Sequence, residues 1–178
     1  MAIKIPEKLK KELEFIRNET LFLRGTWQAW KCLSLSDSTL GATLRNKCPV
    51  FSNLAANAMK REVVSNIGRL LDRTKSTRSL PHLLQSKLIH PDIDISHLSS
   101  ELEQVVDQAK PLLTARDEAV AHSANNYSDP RPAPNFIDDV IISITVLVES
   151  IWLTLCDRHR AVQGNDFQID LDALNSNE

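Results

Sequence analysis

Residues 136–155, FIDDVIISITVLVESIWLTL, decide between a helical and a mixed fold, because the VIISITV run at 140–146 has strand propensity. Periodicity favours the helix. Phe136, Val140, Ile144, Leu147, Ile151 and Leu155 recur at three or four positions, which stacks them on one helical face but would scatter them over both faces of a strand. The length also suits a helix, and an isolated strand would lack a partner. Just upstream, residues 125–134 carry three prolines and two asparagines and read as the clearest loop in the chain. Before that loop, helix formers dominate 112–124, and Pro111 is expected to kink or restart a helix that begins near Asp94 or Ser96, either of which could cap it. Leu98, Leu102 and Val105 or Val106 are its apolar positions. The segment 90–94 reads as a turn, 80–88 as a short helix and 73–79 as a polar loop.

The N-terminal half repeats the helical pattern. Leu9, Leu13, Ile16, Leu23, Trp27 and Trp30 predict a long amphipathic helix over 8–35, after which Ser36, Asp37 and Ser38 offer capping side chains. Pro49 stands where a first-turn proline would start a helical block reaching about Asp72, with Leu54, Ala58, Val63, Ile67, Leu70 and Leu71 on its apolar side. Gly68 within it would allow a close crossing with a neighbour. The fold expected is all-α: an antiparallel bundle of four to five helices forming one domain over 1–162, followed by a polar, flexible tail at 163–178.

Composition removes whole classes of activity. The chain has 178 residues, 42% hydrophobic and 25% charged, which suits one soluble globular domain. Its four glycines, Gly25, Gly41, Gly68 and Gly164, are too far apart for a phosphate-binding loop, a dinucleotide fingerprint or a glycine-flanked serine nucleophile. Net charge is -2, so any nucleic-acid contact must use a local patch. Cys32, Cys48 and Cys156 have neither disulfide nor zinc spacing, which fits a reduced cytoplasm. The first residues hold no apolar signal core, and the apolar run 140–148 is too short to span a bilayer, so a cytoplasmic protein without membrane contact is expected.

Two groups of residues carry candidate chemistry. On a helix with 100° per residue, Arg116 and His122 flank a stripe of small residues that includes Ala115 and Ala119, so a cation and a titratable imidazole would face one groove. The alternative is ordinary surface chemistry, with Glu118 and His122 paired four residues apart and Arg116 solvated. The second group is basic. Residues 60–90 hold seven basic and two acidic side chains, net +5, and 91–122 are net -5. The basic stretch reads either as a phosphate-binding face, with Arg69, Arg73, Lys75 and Arg78 as RNA contacts, or as charge neutralised within the bundle. His90, Asp92, Asp94 and His97 match no metal-ligand spacing, and neither metal nor cofactor is expected. Asp138 and Asp139 are expected to favour a helix N-terminus, and Trp27, Trp30 and Trp152 to serve the core.

Three ordered stretches together resemble the HEPN superfamily, in its abortive-infection branch of the U type, over about 40–155. Cys48-Pro49-Val50-Phe51 looks like the family's proline and aromatic helix start. Arg69-Leu70-Leu71-Asp72, followed by a polar loop and Ser79-Leu80-Pro81-His82-Leu83-Leu84, resembles that branch's arginine-leucine-x-aspartate turn. Arg116-Asp117 followed by Ala121-His122 looks like the HEPN signature. The resemblance implies a helical domain that forms a homodimer and cleaves RNA without metal at a composite interface site, with Arg116, His122 and Asp117 as its catalytic set. It also implies a role as a toxin or phage-defence factor, with an antitoxin protein as a partner. Asp117 stands where asparagine is common, Ser123 where arginine is frequent, and Ala124 where some members carry tyrosine. Two rivals accompany this reading: a non-catalytic HEPN-like module binding RNA or protein through the same groove, and a bundle that serves only assembly.

Overall fold

The computed structural model describes residues 5–35, 39–74, 78–121 and 133–160. Among these are six helices and no strand: α1 (Glu7–Ser34), α2 (Thr39–Lys47), α3 (Pro49–Leu71), α4 (Leu80–Leu84), α5 (Ser96–Ala121) and α6 (Pro134–Arg160). Four are long and two short, so the all-α bundle expected from periodicity is what forms, with the extra helix being the short α2.

Helix α1 forms because its apolar residues keep one stripe: Leu9, Leu13, Ile16, Leu23, Trp27 and Trp30 are all buried. Thr20, also buried, returns its hydroxyl proton to the Ile16 carbonyl at 2.9 Å, so this donor is satisfied within its own helix. Trp27 and Trp30 stack with ring centroids 4.5 Å apart and planes 4° from parallel. At the end of α1, Arg45 of α2 donates from Nη1 to the Leu33 carbonyl at 2.6 Å, satisfying one of the carbonyls a helix terminus leaves open. The proposed caps Ser36, Asp37 and Ser38 lie outside the described residues.

Pro49 is the first residue of α3, as its fixed φ and missing N–H favour. The helix stops at Leu71 because Asp72 turns extended. There the Asp72 carboxylate accepts the Thr74 N–H at 2.8 Å, and Ser79 donates its hydroxyl to the Asp72 carbonyl, so the turn is stitched from both sides. α4 ends at Leu84, short of the expected 88. Ser86 accounts for the difference: its hydroxyl and its carbonyl accept the Leu88 and Ile89 N–H groups and replace the helical pattern with a turn. The Asp94 carboxylate accepts the Ser96 N–H at 2.9 Å where α5 begins. α5 continues through Pro111 as one helix rather than restarting there.

α6 confirms the helical reading of 136–155. Ile137, Val140, Ile141, Ile144, Leu147, Val148, Ile151 and Leu155 are buried along one face, each such side chain contributing about 1.5–3 kcal/mol on full burial. The segment Pro134–Cys156, which contains an 18-residue window of mean hydropathy 1.9, is long and apolar enough to cross a membrane by length and composition. Counting only 140–148 missed this, because the apolar composition continues on both sides of that run. Here the segment packs as a core helix, a role that meets the same criterion.

Packing against α1 is specific as well as apolar. The Asp138 carboxylate accepts the Trp27 indole N–H at 2.6 Å and the Lys31 ammonium at 2.9 Å. Asp138 is thus a cross-helix acceptor and lies beyond the first turn of α6, where a purely helix-terminal role had been expected. About three turns further along, Arg17 pairs with Glu149 at 3.5 Å and stacks over Trp152 at 4.8 Å. The two helices therefore run antiparallel.

Candidate functional site

α3 and α5 also run antiparallel. The late α3 residue Gly68 meets Arg116 in the second half of α5, whereas Arg73, just past α3, reaches Glu103 in its first half. Gly68 is buried. A β-carbon placed on it would overlap Arg116 Nη1 and stand 2.9 Å from Cζ. The absent side chain is therefore the space the guanidinium fills. From the other edge, Arg116 donates to Asp117 Oδ1 through Nε at 2.8 Å and pairs with it through Nη2 at 2.7 Å. Adjacent helical residues do not normally face one another, so this contact requires the long arginine side chain to bend back over its own helix. The Arg116 side chain keeps 35% of its exposure.

Asp117 contacts Arg116 of the same helix, so its carboxylate acts on the neighbouring cation. His122 lies outside the described residues, which end in this region at Ala121. The same holds for Lys75, Ser123 and Ala124. Ala115 is half-buried beside Arg116, and Leu112 is fully buried one turn earlier. The close crossing expected at Gly68 is therefore observed, and the Ala119 side chain of the small-residue stripe lies outside the described residues.

The other basic residues are not gathered with Arg116. Arg69 turns toward α1, with Nη2 at 3.3 Å from Glu19 and 3.1 Å from Glu62. Arg73 pairs with Glu103, and Arg78 lies over the Phe15 ring at 5.2 Å from its centroid. The Arg73–Glu103 pair joins the basic stretch to the acidic one. These groups remain exposed, and pairs of this kind contribute about 0–1 kcal/mol each. Among the described residues, no three His, Cys, Asp or Glu side chains gather to hold a metal ion. His90 faces Asp92 at 3.5 Å, while Asp94 serves the start of α5.

Sequence reasoning missed the role of Gly68 as a seat. The signal was present: a glycine inside a regular helix of a glycine-poor chain costs about 1 kcal/mol relative to alanine and calls for a compensating reason.

Comparison with known protein families settles the kinship that this arrangement suggests, since a model of the AbiU2 family of HEPN domains matches residues 6–175. The chain belongs to the AbiU2 family. The match is wider than the resemblance over 40–155 and takes in α1 as well as α6. No curated protein and no solved structure matches the chain. As an AbiU2 member it is an abortive-infection HEPN-like helical module.

Proposed function

We propose that this AbiU2 protein is a metal-independent endoribonuclease, acting in the cytoplasm as a homodimer in a phage-defence or toxin–antitoxin role. The observation that carries the proposal is the seated Arg116 guanidinium: a part-exposed cation held between Gly68 and Asp117, six residues before His122 on the signature segment. RNA supplies its own nucleophile. The ribose 2'-oxygen bonds to phosphorus as the bond from phosphorus to the 5'-oxygen breaks, leaving a 2',3'-cyclic phosphate and a 5'-hydroxyl. His122 takes the 2'-hydroxyl proton, and the imidazolium formed, or its copy in the second protomer, returns a proton to the leaving oxygen. Arg116 stabilises the charge that builds on the phosphorane. Asp117 holds the guanidinium edge in place.

Arg69, Arg73, Lys75 and Arg78 would track the RNA backbone, with phosphates displacing the carboxylates that hold Arg69 and Arg73 only weakly. An exposed apolar cluster favours a dimer. Leu40, Val50, Phe51 and Leu54, at the start of the α2–α3 unit, are each at least 62% exposed. Because α5 runs antiparallel to α3, its C-terminal end points toward this half of α3.

The test uses an RNA and its all-deoxy counterpart, each incubated with the protein in excess chelator. The expected outcome is cleavage of RNA alone, leaving cyclic-phosphate ends. Cleavage that needs added metal, or DNA cut as fast as RNA, contradicts the proposal. Binding without any product would support the non-catalytic module instead.

A further inference from the structure

We infer that Gly68 is a positioning residue for Arg116: its missing side chain is the seat that fixes the guanidinium at the α3–α5 crossing. This inference deepens the ribonuclease reading and rests on it for its effect on RNA, though not for its geometry. Gly68 is buried in the last third of α3, where alanine would serve the helix better by about 1 kcal/mol. The contrast with the chain's other described mid-helix glycine is informative. A β-carbon on Gly25 would meet nothing within 4 Å, whereas the three atoms nearest to one on Gly68 all belong to Arg116. What excludes a side chain at 68 is thus the guanidinium itself.

The consequence is a separation between fold and site. The obstructing atoms are the far end of a flexible side chain, so alanine at 68 can be accommodated by moving the guanidinium while the helices stay in place. The ion pair with Asp117 does not replace the seat, since it fixes the Nε and Nη2 edge and leaves Nη1 to be located by α3. Displacing a charge-stabilising group by about 1 Å costs up to about a hundredfold in rate.

The experiment is a double-mutant cycle on the full chain, using Gly68→Ala, Arg116→Lys and both together. Three quantities are read: thermal stability, the Arg116 Nε–H resonance in wild type and Gly68→Ala, and single-turnover cleavage of RNA in chelator. Gly68→Ala is expected to melt at or above the wild-type temperature, to shift the Nε–H resonance, and to cleave about tenfold to a hundredfold more slowly. In the Arg116→Lys background, where Nη1 is gone, the same substitution is expected to cause no further loss. Unchanged resonance and rate in Gly68→Ala would overturn the seat while leaving the ribonuclease reading intact. An equal rate loss in both backgrounds would overturn it too. A wild type that cleaves no RNA would sink the function instead, and the resonance shift would still report on the seat. If Gly68→Ala fails to fold, recovery of the fold by adding Arg116→Ala supports the seat, and failure of that double variant contradicts it.

Discussion

The proposed chemistry turns on how one cation is shared. Arg116 gives two of its nitrogens to a single Asp117 oxygen and rests the third on Gly68. A phosphate arriving at the guanidinium therefore competes with a carboxylate that is 66% exposed. Asp117→Asn keeps a hydrogen-bond acceptor and removes the competing charge. Because an exposed pair is worth about 0.2–1 kcal/mol, single-turnover cleavage is expected to rise by up to about fivefold, and a fall in rate would show that the negative charge is needed. Residue type and spacing in the sequence suggested the pair of positions 116 and 122, of which His122 lies outside the described residues. The Gly68 seat was not, since it depends on which residues of two distant helices meet.

At the scale of the elements, helix identity was legible wherever one apolar stripe persisted for several turns, as in 8–35 and 136–155. It was less legible where local hydrogen bonds overrule propensity, as at Ser86, which ends α4 early. The cross-helix role of Asp138 was also hidden. Adjacent aspartates near a helix start suit the helix dipole, and nothing in the sequence says that Trp27 and Lys31 point at one of them. That acceptor is structural. Asp138→Ala strands the buried indole N–H of Trp27 and removes the Lys31 partner, which is expected to cost about 1–3 kcal/mol in urea unfolding, with no change in the secondary structure seen by circular dichroism. A cost near zero would mean that water replaces the carboxylate. Gly25→Ala works in the opposite direction. With open space around the new β-carbon, it is expected to stabilise the protein by about 0.5–1 kcal/mol, and a destabilised variant would show that another surface approaches α1 there.

For the whole molecule, composition alone set aside the glycine-dependent nucleotide and hydrolase sites, and a net charge of -2 requires that any nucleic-acid contact use a local patch. In the folded chain Arg69 and Arg73, from the basic stretch, sit against carboxylates of α1, α3 and α5. RNA binding that exchanges those partners for phosphates should be salt-sensitive, and Arg73→Ala is expected to lower the slope of log affinity against log salt by about 1 without changing the cleavage pattern. An unaltered slope would remove Arg73 from the RNA path. The exposed cluster at the α2–α3 start gives a second whole-molecule expectation. Phe51→Asp should shift sedimentation from dimer to monomer and abolish cleavage together; a monomeric variant that still cuts RNA would separate catalysis from assembly. The most direct measurement remains the rate at which a defined RNA is cut in chelator, under single-turnover conditions, by the wild type, Arg116→Ala and His122→Ala. A ribonuclease built on these two side chains loses about a hundredfold or more with either substitution. Wild-type cleavage retained in either variant, with the fold intact, would mean that the reacting phosphodiester is handled elsewhere.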